Sequence, residues 1–383
     1  MDLGLTETQQ MLRTSARTFL EAECPTTHVR EMELDDRGFS PDIWQKMAAQ
    51  GWLGLTIPEA YGGAELEFID LVILLEEMGR YMLPSPFFST SVLSSLAIME
   101  SGDHQQKEEY LTRIAAGQII VAMAITEPSA TWDCSGIQLT AELDGSKYNL
   151  SGTKLFVSDG NVADYILVAA RTGSETTDIS LFILPTQSEG INQTQLKTIA
   201  SDNQSAFTFE NVKVSKVNLL GKENNSWPII QKIIQWGAIG KCAEMTGGGQ
   251  KVLDMTVEYA KQRTQFGRPI GSFQAIQHHC ANMATDVETA KFITYKAAWT
   301  LTQDLNADKE VAMAKAWVSD SYGRVCALAH QSHGAIGFTK EHDLQLYSRR
   351  AKAAELAFGD SDFHLENVAP LIGLSPNNPR DSR

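Results

Sequence analysis

The sequence predicts an α+β chain in three parts: a helical N-terminal domain over residues 1–120, a middle antiparallel β domain over 121–224, and a C-terminal four-helix bundle over 225–383. Three observations predict it. Apolar residues recur at helical spacing toward both ends. Between about 121 and 220 that spacing gives way to short β-rich runs divided by turn residues. At 383 residues the chain is also too long for one ordinary core and should divide into two or three units.

In the first part, Leu5, Met11, Leu12, Ala16, Phe19 and Leu20 share a helical stripe. Thr6 is its N-cap, with Gln9 three residues on. Ser40 before Pro41 starts a helix carrying Ile43, Trp44, Met47 and Ala48. Phe68 to Met78 predicts an apolar helix ending near Gly79, with Glu76 and Glu77 on a solvated edge. The middle runs are IIVAMAIT, IQLTAEL, KYNLSGTKLFVS, YILVAAR, ISLFIL and FTFENVKV. Asp144-Gly145 and Asp159-Gly160-Asn161 separate some of them at intervals that suit an antiparallel barrel or sandwich. No GxGxxG follows a strand, which argues against a dinucleotide-binding parallel sheet. After Pro228 helices resume, broken at Gly267–Pro269, near Asp304–Asp308 and at Gly334–Gly337. The tail SPNNPRDSR reads as frayed.

A formal charge of −15 argues against nucleic acid, which needs a basic surface. No apolar run approaches the roughly 18 residues that span a bilayer. The start MDLGLTETQQMLR has neither a basic n-region nor an apolar h-region, so the expectation is a cytoplasmic protein. Five scattered cysteines without CxxC spacing fit a reducing compartment. His278-His279 and His330-x-x-His333 lack an HExxH-type pattern, and no metal is expected.

Two segments carry the most information: Tyr259-Ala-Lys-Gln-Arg263-Thr-Gln-Phe266-Gly-Arg-Pro-Ile270-Gly-Ser-Phe-Gln274, and Gln331-Ser-His-Gly334-Ala-Ile-Gly337-Phe338. The first joins a long helix to a sharp break and a second helix, with a cation and an aromatic at the break. Together they closely resemble the FAD-contacting parts of the acyl-CoA dehydrogenase family, over nearly the whole chain and in the family's order. Thr126-Glu127-Pro128 resembles its TEP strand end, and Phe156 and Ser158 fall where it flanks the flavin N5 edge. The resemblance implies that Arg263 and Phe266 reach a neighbouring subunit's FAD, with the guanidinium on pyrophosphate, and that Gln274, Gln331 and Gly334 complete the site. It further implies a homotetramer or heterotetramer, an acyl-CoA substrate, and an electron-transfer flavoprotein or similar acceptor. Fatty, branched, aromatic and sterol acyl groups all stay open. After TEP the family commonly has a Gly-rich turn with a serine; here it reads Ser129-Ala-Thr131-Trp132-Asp133.

The reaction needs a carboxylate to take the α-proton while flavin N5 accepts the β-hydride. Aligned on Arg349 and Gly359, the family's C-terminal glutamate is Phe358, whose ring accepts no proton. Its backbone N–H still can donate to a thioester carbonyl. Some members carry the base on the helix before the Arg263 turn, and there the candidate is Glu244. At 100° per residue Gly237, Gly240, Gly247 and Gly248 lie within about 60° of it. Each helical glycine costs roughly 1 kcal/mol against alanine, so the stripe implies close approach by a flat ligand or by another helix. Asp360 and Asp362 are the other candidates. Two further readings fit the same residues: a partner subunit that completes a neighbour's FAD site, and a family-related oxygen-using flavoenzyme.

Overall fold

The computed structural model describes residues 4–374; the tail from Ser375, expected to fray, lies outside them. By packing, the chain forms two units. One comprises Arg30–Leu66 and Pro84–Gly237; the other comprises 4–29, Glu67–Leu83 and 238–374.

The first of these units is built on a sheet. Its strands are β1 (Val121–Ala124), β2 (Thr140–Asp144), β3 (Lys147–Ser158), β4 (Tyr165–Arg171), β5 (Ile179–Pro185), β6 (Ile191–Leu196), β7 (Gln204–Ser215) and β8 (Leu219–Leu220). They pair in the order β6-β7-β3-β2-β4-β5-β8, with β1 added parallel to β4. Antiparallel pairing dominates, as the turn spacing predicts. Strand β6 escaped the sequence reading for a physical reason: INQTQL is an edge strand whose middle four residues are exposed, so it carries no apolar alternation. Arg171 closes the turn after the TEP corner by donating to the carbonyls of Cys134 and Ile137 at 2.8–3.0 Å. The Asp133 side chain accepts from Ser135 N at 2.7 Å, so a different turn replaces the family's Gly-rich one. A π-helix (Phe88–Ser94) lies against β1, where Thr90 and Ser94 bond the Val121 backbone.

The second unit is helical. In chain order the helices of the whole molecule are α1 (Glu7–Glu23), α2 (Thr26–Met32), α3 (Pro41–Ala49), α4 (Phe68–Tyr81), α5 (Ser95–Ser101), α6 (His104–Ala115), α7 (Trp227–Gln262), α8 (Gln274–Thr302), α9 (Asp308–His333), α10 (Leu344–Leu356) and α11 (Ser361–Leu371). The bundle is formed by α7 from Ala238 onward, with α8 to α11, joined by α1 and α4. Thr6 and Gln9 cap α1 reciprocally, and Ser40 caps α3, as their spacing predicts. No helix among the described residues is long and apolar enough to cross a membrane.

Two expectations for α4 are corrected. The helix does not stop at Gly79; it runs to Tyr81 and ends on Met82 in the left-handed region. Gly79 is there because α7 passes so close that a Cβ would overlap the Glu244 backbone. Nor are Glu76 and Glu77 solvated. They are 7% and 1% exposed and anchor α1: Arg17 grips Glu77 with two bonds of 2.7 and 3.0 Å, and Arg13 and Tyr295 both reach Glu76 Oε2. Carboxylates this buried persist only when paired in this way.

Two glycines of the α7 stripe, Gly247 and Gly248, serve packing. A Cβ on Gly247 would overlap the carbonyl of Glu76, and one on Gly248 would overlap the Tyr322 hydroxyl. Gly323, in the interior of α9, faces open space. Gly247→Ala should therefore destabilise the protein by roughly 1–3 kcal/mol, whereas Gly323→Ala should be neutral or stabilise it by up to about 1 kcal/mol. Paired thermal or urea unfolding curves check the contrast.

Candidate active site

The sequence-selected residues divide between the two units. In the sheet unit, the structure brings the TEP corner and the Phe156 segment together: Leu155 N donates to the Thr126 carbonyl at 2.9 Å. Thr126 and Ser158 are half-buried, and Phe156 is 54% exposed with φ +54. A left-handed phenylalanine is uncommon and marks a constrained position. Beneath it lies a group the sequence reading missed. Lys154, fully buried, donates to Glu127 Oε1 at 2.7 Å and to the Ile125 carbonyl at 3.1 Å. The available signal was its register: Lys154 falls on the same alternating face of the strand as Tyr148 and Leu150.

In the helical unit, Arg263 ends α7. Its N–H returns to Tyr259 O, and its carbonyl accepts from Ile270 N, both at 2.8 Å. Between them Thr264–Gln265 and Arg268–Pro269 form a minimal hairpin (β9 and β10). Phe266 and Gly267 occupy its two-residue turn with φ +52 and +79, the type I′ arrangement. Phe266 is 92% exposed at the tip, edge-on to Phe273, and the Arg268 guanidinium lies 4.1 Å over the Phe273 ring. Gln274 is the exposed first residue of α8. At the end of α9, Gln331 is exposed, and Gly334 has φ +65 with open space where a Cβ would stand. The Tyr259 ring stacks on His333 at 4.4 Å, and its hydroxyl donates to the His333 carbonyl. That contact holds the Arg263 and Gln331–Gly334 segments beside each other.

Glu244 lies 19 residues before Arg263 on α7, about 28 Å along the axis. Its backbone packs on Gly79, and its carboxylate, 26% exposed, accepts from Lys241 Nζ at 2.7 Å. The other carboxylates near the Phe358 loop have local duties. Asp360 caps α11 by accepting from Phe363 N at 2.9 Å, and Glu355 pairs with Lys352. Asp362 is exposed in the first turn of α11.

The loop carrying Phe358 is held from beneath. Phe358 and Gly359 both have positive φ, +58 and +91. Buried Lys315 donates to the carbonyls of Glu355 and Gly359 at 2.8 Å each and to Ser319 Oγ at 3.0 Å. Burial pulls its pKa down to about 8, so it stays largely charged at neutral pH. His364 Nε2 donates to the Phe358 carbonyl at 2.9 Å. The histidine must be neutral to sit there comfortably. Its Nδ1 is buried without a hydrogen-bond partner, and burial lowers its pKa from 6.5 to about 4. Burial likewise lowers His330 and His333.

The residue types are compatible with FAD. The sheet unit has two half-buried hydroxyls and an exposed aromatic at the TEP corner, and the helical unit has a guanidinium directly after α7 and open space at Gly334.

Because His364 binds its proton more weakly folded than unfolded, its contribution to stability is complete above pH 6.5. It is lost as pH falls toward 4. His330 and His333 act in the same direction. Urea unfolding measured from pH 7.5 to 4 should show falling stability, and His364→Asn should flatten that fall.

Three family models match consecutive parts of the chain: the acyl-CoA dehydrogenase N-terminal domain at residues 6–118, the middle domain at 122–212 and the C-terminal domain at 224–372. The caffeyl-CoA reductase–Etf complex subunit of Acetobacterium woodii is 35% identical over 96% of this chain and 98% of its own length. The short-chain specific acyl-CoA dehydrogenase of Clostridium acetobutylicum is 31% identical over 94% and 97%. The structure of butyryl-CoA dehydrogenase from Megasphaera elsdenii superposes with a TM-score of 0.91 at 29% identity, covering 97% of this chain and all of that one. The chain belongs to the acyl-CoA dehydrogenase family, FAD-dependent oxidoreductases acting on acyl-CoA.

Proposed function

We propose that Glu244 is the base that takes the α-proton of an acyl-CoA thioester on the way to the trans-2-enoyl product. The observation that carries this reading is the pairing of a lost acid with a presented one. The C-terminal position holds Phe358, while Glu244 stands partly exposed on α7 with Lys241 as its ion-pair partner. Lys241 orients the carboxylate, and Gly79 lets the α7 backbone at Glu244 pack directly on α4. Lys315 and His364 clamp the Phe358 loop through its carbonyls, which keeps that segment rigid. Bound FAD supplies the acceptor for the β-hydride.

Thr126, Phe156 and Ser158 serve the flavin ring in this reading, and Arg263, Phe266, Gln274, Gln331 and Gly334 serve the FAD of a neighbouring subunit. One feature supports a shared site: Phe266 is an almost wholly exposed aromatic on a rigid hairpin tip. The assembly is a homotetramer or heterotetramer in the cytoplasm, passing electrons to an electron-transfer flavoprotein.

Glu244→Gln should keep one FAD per chain and lose at least about 100-fold in turnover with acyl-CoA and an artificial acceptor. Near-normal turnover removes Glu244 from the role. Arg263→Ala should lower FAD content while leaving the sedimentation coefficient of the assembly unchanged. Full flavin loading in that variant would refute the shared site.

A further inference from the structure

The part of β3 that carries Phe156 and Ser158 lacks the restraint that fixes most strand residues. Its ladder with β7 runs to Lys154 opposite Phe207, breaks, and resumes at Val157 opposite Ser205. Two residues of β3, Leu155 and Phe156, therefore stand against one of β7, which is a bulge. The β3–β7 ladder cannot set where Phe156 points, and Phe156 itself is in the left-handed region. What pins the segment comes from the other side. Leu155 N donates to the Thr126 carbonyl at 2.9 Å. Lys154 Nζ donates to Glu127 Oε1 at 2.7 Å and to Ile125 O at 3.1 Å, so its bonds flank Thr126 on both sides in the chain. Glu127 in turn accepts from Gln138 N at 2.9 Å and from Leu139 N at 3.0 Å, tying the corner to the approach to β2.

Both charges are out of solvent, Lys154 at 0% and Glu127 at 5% exposure. A buried ion pair contributes little net stability compared with a well-packed apolar pair, so folding alone does not account for it. Its distinctive property is direction. An ammonium shared between a carboxylate and a carbonyl fixes a spacing that methyl groups do not.

We propose that Lys154 is a positioning residue for the cofactor: with Glu127 it fixes the distance between Thr126 and the Phe156–Ser158 segment, and thereby the affinity and electronic environment of the flavin. The proposal rests on the assignment of Thr126, Phe156 and Ser158 to FAD made above. Burial lowers the Lys154 pKa to about 8 against the opposing pull of Glu127, which leaves the ammonium predominantly charged at pH 7.

The test is the double variant Lys154→Met/Glu127→Gln in the full-length holoprotein. The introduced glutamine keeps an acceptor for the Gln138 and Leu139 N–H groups, and neither substitution strands a charge. The expected result is an apoprotein with wild-type circular dichroism, FAD bound about tenfold more weakly, and a shifted visible flavin spectrum at saturating FAD. Unchanged affinity and spectrum overturn the proposal. Should the double variant misfold, Lys154→Arg serves, because it keeps the charge and changes the geometry. A shifted flavin spectrum supports the proposal, and one identical to wild type overturns it. Wild-type protein that binds no FAD overturns the cofactor assignment, and the proposal with it.

Discussion

The close approach of α4 and α7 governs the helical unit. Gly79 admits the backbone of Glu244, and Gly247 admits the backbone of Glu76, so the two helices are locked against each other at both levels. Neither contact tolerates a side chain. The consequences spread along both helices. Glu76 and Glu77 are drawn inside, where they require Arg13, Arg17 and Tyr295, and those partners fasten α1. The next turns of α4 receive Tyr347 and Arg350 of α10, whose side chains bond the carbonyls of Arg80 and Met82. The helix that carries Glu244 thus stands in a frame bonded on several sides.

Cations brace irregular backbone in both units. Buried Lys154 lies under a strand bulge, buried Lys315 under the Phe358–Gly359 loop, and half-buried Arg171 under the turn after the TEP corner. Each donates to backbone carbonyls of the segment it braces. This is the expected answer to a general problem: irregular backbone inside a protein must find partners for its polar groups. Long cationic side chains reach several such groups at once. The arrangement keeps these irregular segments rigid.

The glycine stripe on α7 shows how one sequence pattern admits two physical readings. Glycines within about 60° of Glu244 called for close approach by a ligand or by a helix, and for Gly247 the neighbour is α4 while for Gly248 it is Tyr322 of α9. The stripe still matters to Glu244, because it sets the depth at which that residue is held. Likewise Gly79 resembled a helix stop only because glycine is a common one. A packing requirement leaves the same mark in sequence.

The sequence by itself determined the fold class, the caps of α1 and α3, most of the strands, and the order of the family motifs. These depend on local periodicity, capping chemistry and residue spacing, all written within a few positions of one another. It did not reveal β6, whose exposed edge carries no apolar alternation, nor the burial of Glu76 and Glu77, whose partners lie about sixty residues or more away. Tertiary structure alone placed Lys154 and Lys315 beneath the segments they hold. A lysine at an inward strand register, like Lys154, or among apolar helix residues, like Lys315, shows that something buried must pair with it, but only the folded chain shows which groups do so, because they come from segments well removed in sequence.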